Sequence, residues 1–198
     1  MTEHNTITPD LLGAASELLA TQVDHEDHVD GAAGAHVTLV LYGDYQCPLT
    51  RGTHEVIRRL LRRNDVVVRY VFRHFPVTKH HPHAANAARA AEAGASEGRF
   101  WPMHDALLAH QDALTDEALW GYAADQGVSA TAMCAALEYE LYDDRIERDI
   151  SSGTASGVHD TPVLFLEGRR YTGPRRSRDL GAAVTAAMIA MSGDAVSR

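Results

Sequence analysis

The sequence predicts an α/β fold with a mixed central sheet, and three stretches carry that prediction. The first is an apolar, β-branched run from Val37 to Tyr42, which breaks at Gly43-Asp44 and gives way to helical spacing at Val56, Ile57, Leu60 and Leu61. The second is another such run, Asp65 to Phe72, bounded by Asn64 and Pro76. The third lies near the C-terminus, where Pro162 to Leu166 and Arg169 to Thr172 flank Glu167-Gly168 at the spacing of a two-residue hairpin. Strand, helix and strand make a βαβ unit, so the first two strands are expected to be parallel. The hairpin adds the antiparallel part.

Taken in order, Thr8-Pro-Asp followed by Leu11, Leu12, Ala15, Leu18 and Leu19 reads as a capped amphipathic helix. Such a helix docks on its own body or on a second copy, the latter giving a homodimer. The acidic, glycine-containing segment Asp24 to Gly34 reads as a linker, with His25 and His28 solvated. The domain proper is therefore expected over residues 35–198, with 1–34 as helix and linker. From His80 to about Ser151 the chain reads as almost entirely helical: alanine-rich Ala84 to Ala93, then Phe100 to His110, then a segment opened by Thr115-Asp-Glu, with Gly127-Val-Ser separating the last two pieces. No repeat period is visible. A final helix runs from about Ser177 through Ala190, and Met191 to Arg198 reads as a frayed tail.

Composition bounds the function. A chain of 198 residues suits one domain with an accessory element. The formal charge of −9, from 27 acidic and 18 basic residues, argues against nucleic acid and anionic membrane as partners. No apolar run reaches the roughly 18 to 20 residues of a membrane span. The start Met-Thr-Glu-His-Asn-Thr has neither the basic nor the apolar region of a secretory signal, so a cytoplasmic location is expected. Two cysteines, Cys47 and Cys134, are too few for a disulfide framework, in keeping with a reducing compartment.

Cys47 carries the candidate chemistry. It sits where the first strand turns into the first helix, and Pro48 suits the first helical position. Unpaired backbone N–H groups and the helix dipole favour a thiolate there, so a reactive, partly exposed thiol is expected. Cys134, inside Ala132-Met-Cys-Ala-Ala-Leu137, reads as core filler. His80, His81 and His83, with His74 nearby, match no established tetrahedral spacing, and Pro82 breaks the geometry between them; no metal is expected. They are placed instead at the start of the helical block near the active-site face, where His159 is a candidate substrate contact.

Several motifs in one register resemble the DsbA-like branch of the thioredoxin superfamily. These are Gly43-Asp-Tyr-Gln-Cys-Pro48, Phe72-Arg-His-Phe-Pro76, His81-Pro-His-Ala84, Gly98-Arg-Phe-Trp101 with Met103-His-Asp105, and Gly157-Val-His-Asp-Thr-Pro162 with Gly168-Arg-Arg-Tyr171. The resemblance covers roughly Asp30 to Pro174. It implies a thioredoxin fold with a helical insertion at about residues 80–157. It also implies a cis Thr161-Pro162 bond beside Cys47, with the backbone before the proline free to pair with bound substrate. One departure matters: the family's Cys-x-x-Cys reads Cys47-Pro-Leu-Thr50 here. With no second thiol at position 50, a mixed disulfide on Cys47 has to be resolved from outside. The Thr50 hydroxyl, one turn along, is expected to hydrogen-bond the sulfur.

The resulting expectation is a monothiol thiol-disulfide oxidoreductase acting on a disulfide-containing or thiol substrate. It needs no bound cofactor, and a low-molecular-weight thiol serves as co-substrate. Two rivals share the fold: a glutathione-S-transferase-like enzyme directing a small thiol at an electrophile, and a redox-inactive binding domain that keeps the proline loop.

Overall fold

The computed structural model describes residues 18–31, 34–35, 37–63 and 68–196. A five-stranded sheet runs in the order β1-β3-β2-β4-β5, with β1 at His28–Gly31, β2 at Val37–Gly43, β3 at Val68–His74, β4 at Val163–Leu166 and β5 at Arg169–Arg170. The central pair β2 and β3 is parallel, in register from Val37 opposite Val68 to Gly43 opposite His74. The crossover between them is α1, Pro48–Leu61. On the other side β2 pairs antiparallel with β4, and β4 turns back into β5 through Glu167 and Gly168. Both turn residues have positive φ, 50° and 73°, which is the twist a tight hairpin needs and why glycine fits the second position.

β2 is covered on both faces, which explains its unbroken apolar sequence. Leu39 and Leu41 point into the larger core with Ile57 and Leu60 of α1, while Val40 and Tyr42 point into a second core with Val71, Phe75 and Phe165. The block after β3 is helical as expected: α2 Ala84–Ser96, α3 Phe100–Ala109, α4 Asp116–Asp125, α5 Ala130–Leu137 and α6 Asp143–Ala155. Thr115 and Ser129 cap α4 and α5, their side-chain oxygens accepting from the N–H groups of Ala118 and Ala132. Alanine on α2 lets neighbouring helices approach closely, and Ala87, Ala90 and Ala91 are fully buried. Helix α7, Ser177–Val196, packs Leu180 and Val184 into the larger core. It continues through 191–196, where a frayed tail was expected.

Two N-terminal expectations need correction. Most of the helix expected at Thr8 to Leu19 lies outside the described residues. Its last two residues are not helical: Leu18 bridges Arg169, and the Leu19 N–H donates to Gly168 O at 2.8 Å. The hairpin edge leaves backbone groups open there, and this segment satisfies them. The expected linker, Asp24 to Gly34, contains the edge strand β1, antiparallel to β3 with His28 opposite Phe72. Its inner residues are polar and its apolar Val29 is 41% exposed, the reverse of the usual alternation. Asp30 pairs with Arg58 of α1, which ties the strand to that helix.

What ties this N-terminal segment down is Arg73, buried on β3. Its guanidinium donates to both Asp27 carboxylate oxygens at 2.8 and 2.9 Å, to Thr21 O and Gln22 O, and to the Tyr42 hydroxyl. Burial pushes the Asp27 pKa up, but hydrogen bonds from Arg73 outweigh it and hold the carboxyl below its usual range. Removing one partner strands a buried charge. Asp27→Ala should therefore lose about 3–5 kcal/mol of stability in urea unfolding, and a loss below about 1 kcal/mol would show that the pair does not anchor the segment.

Candidate active site

The site is built at the C-terminal end of β2. Asp44 follows the strand and is fully enclosed. Its carboxylate accepts from Gln46 N–H at 2.7 Å, Val77 N–H at 2.7 Å and His81 Nδ1 at 2.8 Å, while its carbonyl accepts the Cys47 N–H at 3.1 Å. These bonds wind the chain into the turn that delivers Cys47 as N-cap of α1, in extended conformation with φ −81° and ψ 114°, and Pro48 as the first helical residue. Gly43 precedes the turn because nothing larger fits. A Cβ there would lie 2.5 Å from a Phe72 ring carbon and 2.7 Å from Thr50 Cγ2.

Cys47 Sγ donates to Thr161 O at 3.2 Å, and the Thr161-Pro162 peptide bond is cis. The structure therefore brings Cys47, Thr161 and Pro162 together, although Cys47 is only 6% exposed where a partly exposed thiol was expected. It is covered because the sulfur tucks against the proline loop. The two backbone groups expected to be free for substrate are both occupied: Thr161 O by the thiol, and Thr161 N–H by its neighbour Asp160 at 2.8 Å. The Thr161 hydroxyl is buried with no hydrogen-bond partner among the described residues. Pro48 is exposed beside the sulfur, and so is Leu49, at 65%.

Other expected site residues fall differently. Thr50 is fully buried, and its hydroxyl accepts from Asp44 N–H at 3.3 Å; among the described residues it makes no bond to the sulfur. The hydroxyl thus serves the turn rather than the thiol. His159 is exposed, two residues before Thr161, with no side-chain hydrogen bond among the described residues. Cys134 is half-buried on α5 and not core filler; its thiol meets Glu138 at 3.4 Å, and that carboxylate raises its pKa.

The histidines separate. His81 holds Asp44, and the backbone N–H of His83 donates to Gln46 Oε1 at 2.6 Å, so both brace the cysteine turn. His74 faces the core. Gln111, in the α3–α4 connection, gave no sequence signal, yet its side-chain amide donates to Tyr45 O at 2.6 Å and Cys47 O at 3.0 Å. Only the fold brings it across.

Two sets of three bring metal-ligating atoms within 4.8 Å of one another among the described residues: His28, His74 and Glu92, and His54, His104 and Asp105. In the first, both imidazole Nε2 atoms lie on one Glu92 oxygen, at 2.6 and 2.7 Å. In the second, the groups form a chain from the Tyr45 hydroxyl through His104 and His54 to Asp105. In each set an imidazole lies against a carboxylate, while His74 Nδ1 and Asp105 Oδ1 are buried with no hydrogen-bond partner among the described residues. Burial pushes the Glu92 pKa up, but the hydrogen bonds from His28 and His74 outweigh it and hold the carboxyl well below the usual range. Burial, with His54 adding to it, holds the His104 pKa well below 6.5.

A cysteine capping the helix after the central strand, opposite a cis-proline hairpin on a mixed sheet with a helical insertion, defines a thioredoxin-fold protein of the DsbA-like form. The comparisons agree, and the chain belongs to the thioredoxin family, whose model matches residues 23–186. The chain superposes on a thioredoxin-like oxidoreductase from Silicibacter pomeroyi with TM-score 0.73 and 21% identity, over 91% of this chain and 99% of that one. It superposes on BdbD from Bacillus subtilis with TM-score 0.72 and 19% identity, over 86% and 97%. At those identities the likeness is one of fold. In sequence it is 42% identical over 180 residues to Na(+)/H(+) antiporter NhaA 3 from Salinispora tropica, covering 89% of this chain and 28% of that protein. It is 40% identical to an antiporter of the same name from Herminiimonas arsenicoxydans, covering 85% and 27%. The chain spans about a quarter of the length of these curated relatives. No helix among the described residues is long and apolar enough to cross a membrane.

The buried groups set a pH dependence. His104 and Glu92 are both depressed, so each stabilises the fold above its unfolded-state pKa and loses that contribution as pH falls. Stability measured by urea unfolding should decline below about 6.5 as the unfolded chain's histidine takes its proton, and again below about 4.5, each group adding up to about 1.4 kcal/mol per pH unit. Glu92→Gln should be less stable at neutral pH and show a shallower lower stage, with Asp27 supplying what remains. An unchanged profile would place Glu92 outside the stabilising network.

Proposed function

We propose that this domain carries out thiol-disulfide exchange as a monothiol enzyme. The observation that supports this reading best is the Cys47 sulfur, placed at the N-cap of α1 and 3.2 Å from Thr161 O, with threonine in place of a second thiol one turn along. N–H groups at the start of α1 favour negative charge at that position. In the first step the Cys47 thiolate attacks a disulfide; its S–S bond breaks, a Cys47 mixed disulfide forms, and one thiolate leaves. An external low-molecular-weight thiol then attacks the mixed disulfide, restoring Cys47 and carrying away the oxidising equivalent. Deprotonation of Cys47 also removes the S–H donor from Thr161 O, which frees that carbonyl to accept from the backbone of a bound substrate.

A transferase in which the Thr50 hydroxyl activates a small thiol finds no support, since that hydroxyl is enclosed and accepts from Asp44 N–H. The low cysteine content fits a reducing compartment, and we place the domain in the cytoplasm.

Incubation with an oxidised low-molecular-weight thiol should add one thiol mass at Cys47, removable by reductant and absent from Cys47→Ser. Lack of any adduct on the intact protein would overturn the reading.

In Thr50→Cys, oxidation should close an internal disulfide, seen as a loss of two hydrogens, and the mixed adduct should no longer accumulate. The cost to the turn from the lost Asp44 bond is about 1 kcal/mol by urea unfolding. Persistence of the adduct in that variant would show that residue 50 cannot reach the sulfur.

A further inference from the structure

Cys47 and one arginine are anchored to consecutive carbonyls of the same loop. Cys47 Sγ donates to Thr161 O at 3.2 Å, and Arg175 Nη2 donates to Pro162 O at 3.1 Å. Arg175 arrives from the segment between β5 and α7. A guanidinium has five N–H donors in a planar fork, and the loop uses one of them. Two other arginines, Arg176 and Arg51, have acidic partners, Arg176 with Asp179 at 2.8 Å and Arg51 with Glu55 at 3.3 Å, while Arg170 of β5 is turned onto the carbonyls of Ser156 and Gly157. Among the described residues no carboxylate pairs with Arg175. The nearest acidic residue in the loop's own sequence, Asp160, is turned back onto the Thr161 N–H. Desolvation lowers the Arg175 pKa from the usual arginine value, with Tyr171 and the Cys47 sulfur opposing, and the group remains a cation at neutral pH.

We propose that Arg175 is a recognition residue that takes a carboxylate of the low-molecular-weight thiol or disulfide reacting at Cys47. This rests on the exchange reading above and adds a substrate class to it: small thiols bearing a carboxylate, held by the fork while their sulfur meets Cys47. A fork-to-carboxylate contact is bidentate and directional, so it orients the incoming disulfide as well as attracting it. The assignment runs against the molecule's overall charge. At −9 the chain as a whole repels anions, so any preference for an anionic reagent at Cys47 has to be local.

The test uses the full chain carrying Cys134→Ala, which leaves Cys47 as its one thiol. Rates of mixed-disulfide formation are measured with two coloured disulfides, the dianionic dithiobis(nitrobenzoate) and the neutral dithiodipyridine, and their ratio is taken so that general changes in accessibility cancel. Arg175→Gln should lower the anionic-to-neutral ratio about three- to tenfold, Arg175→Lys should fall between that variant and the parent because it keeps the charge and loses the fork, and added salt should shrink the ratio in the parent protein. A ratio unchanged in Arg175→Gln, with both reagents still reacting, would overturn the recognition role and leave the exchange reading standing. Failure of both reagents to react with Cys47 would instead overturn the exchange reading, and the recognition role with it.

Discussion

Asp44 is a carboxylate closed off from the surface, and the geometry of the cysteine turn depends on how its oxygens are satisfied. A buried carboxylate is tolerated only when hydrogen bonds replace its hydration. Here they come from Gln46 inside the turn, from Val77 just after β3, and from His81 before α2. Each bond that stabilises the charge therefore also fixes a piece of chain relative to Cys47. The same residue's N–H engages Thr50 and its carbonyl engages Cys47. Gln111 and the His83 N–H add a second ring of contacts from the helical block, the latter through Gln46, so the sulfur's position is set by four separate parts of the sequence.

The same reasoning extends through the interior. Arg73 would be prohibitive on a central strand were its guanidinium not met by Asp27, Tyr42 and two carbonyls of the N-terminal segment. Glu92, on an otherwise alanine-rich helix, is met by His74 of β3 and His28 of β1. His28 also stacks on Phe100 with ring centroids 3.5 Å apart, so the edge strand is held by polar and aromatic contacts rather than by an apolar face. These buried groups specify which segments meet, since a wrong pairing would strand a charge.

Around the sulfur the protein occupies most of its own polar groups. Thr161 O holds the thiol, Thr161 N–H holds Asp160, and Thr50 holds the Asp44 amide. What remains unspent is concentrated on the proline loop, in the Thr161 hydroxyl and the Arg175 fork. In the exchange proposed above the second thiol comes from outside, and these groups lie beside the sulfur it would meet.

Period and punctuation in the sequence determined the strand–helix–strand unit, the helical block, the hairpin and the final helix, because local backbone preference and apolar spacing are enough to define elements buried on a regular face. The cap position of Cys47 was legible for the same reason, since it rests on turn and cap residues that act on their immediate neighbours, whereas the cis Thr161-Pro162 bond beside it was implied by the family resemblance. β1 was not, since its inward residues are polar and their partners, Arg58 and Glu92, lie far along the chain. Nor were the enclosure of Thr50, the reach of Gln111 and the approach of Arg175 to the loop. Those depend on which distant groups must neutralise a buried charge or fill a hydrogen bond, and only the assembled tertiary structure decides that.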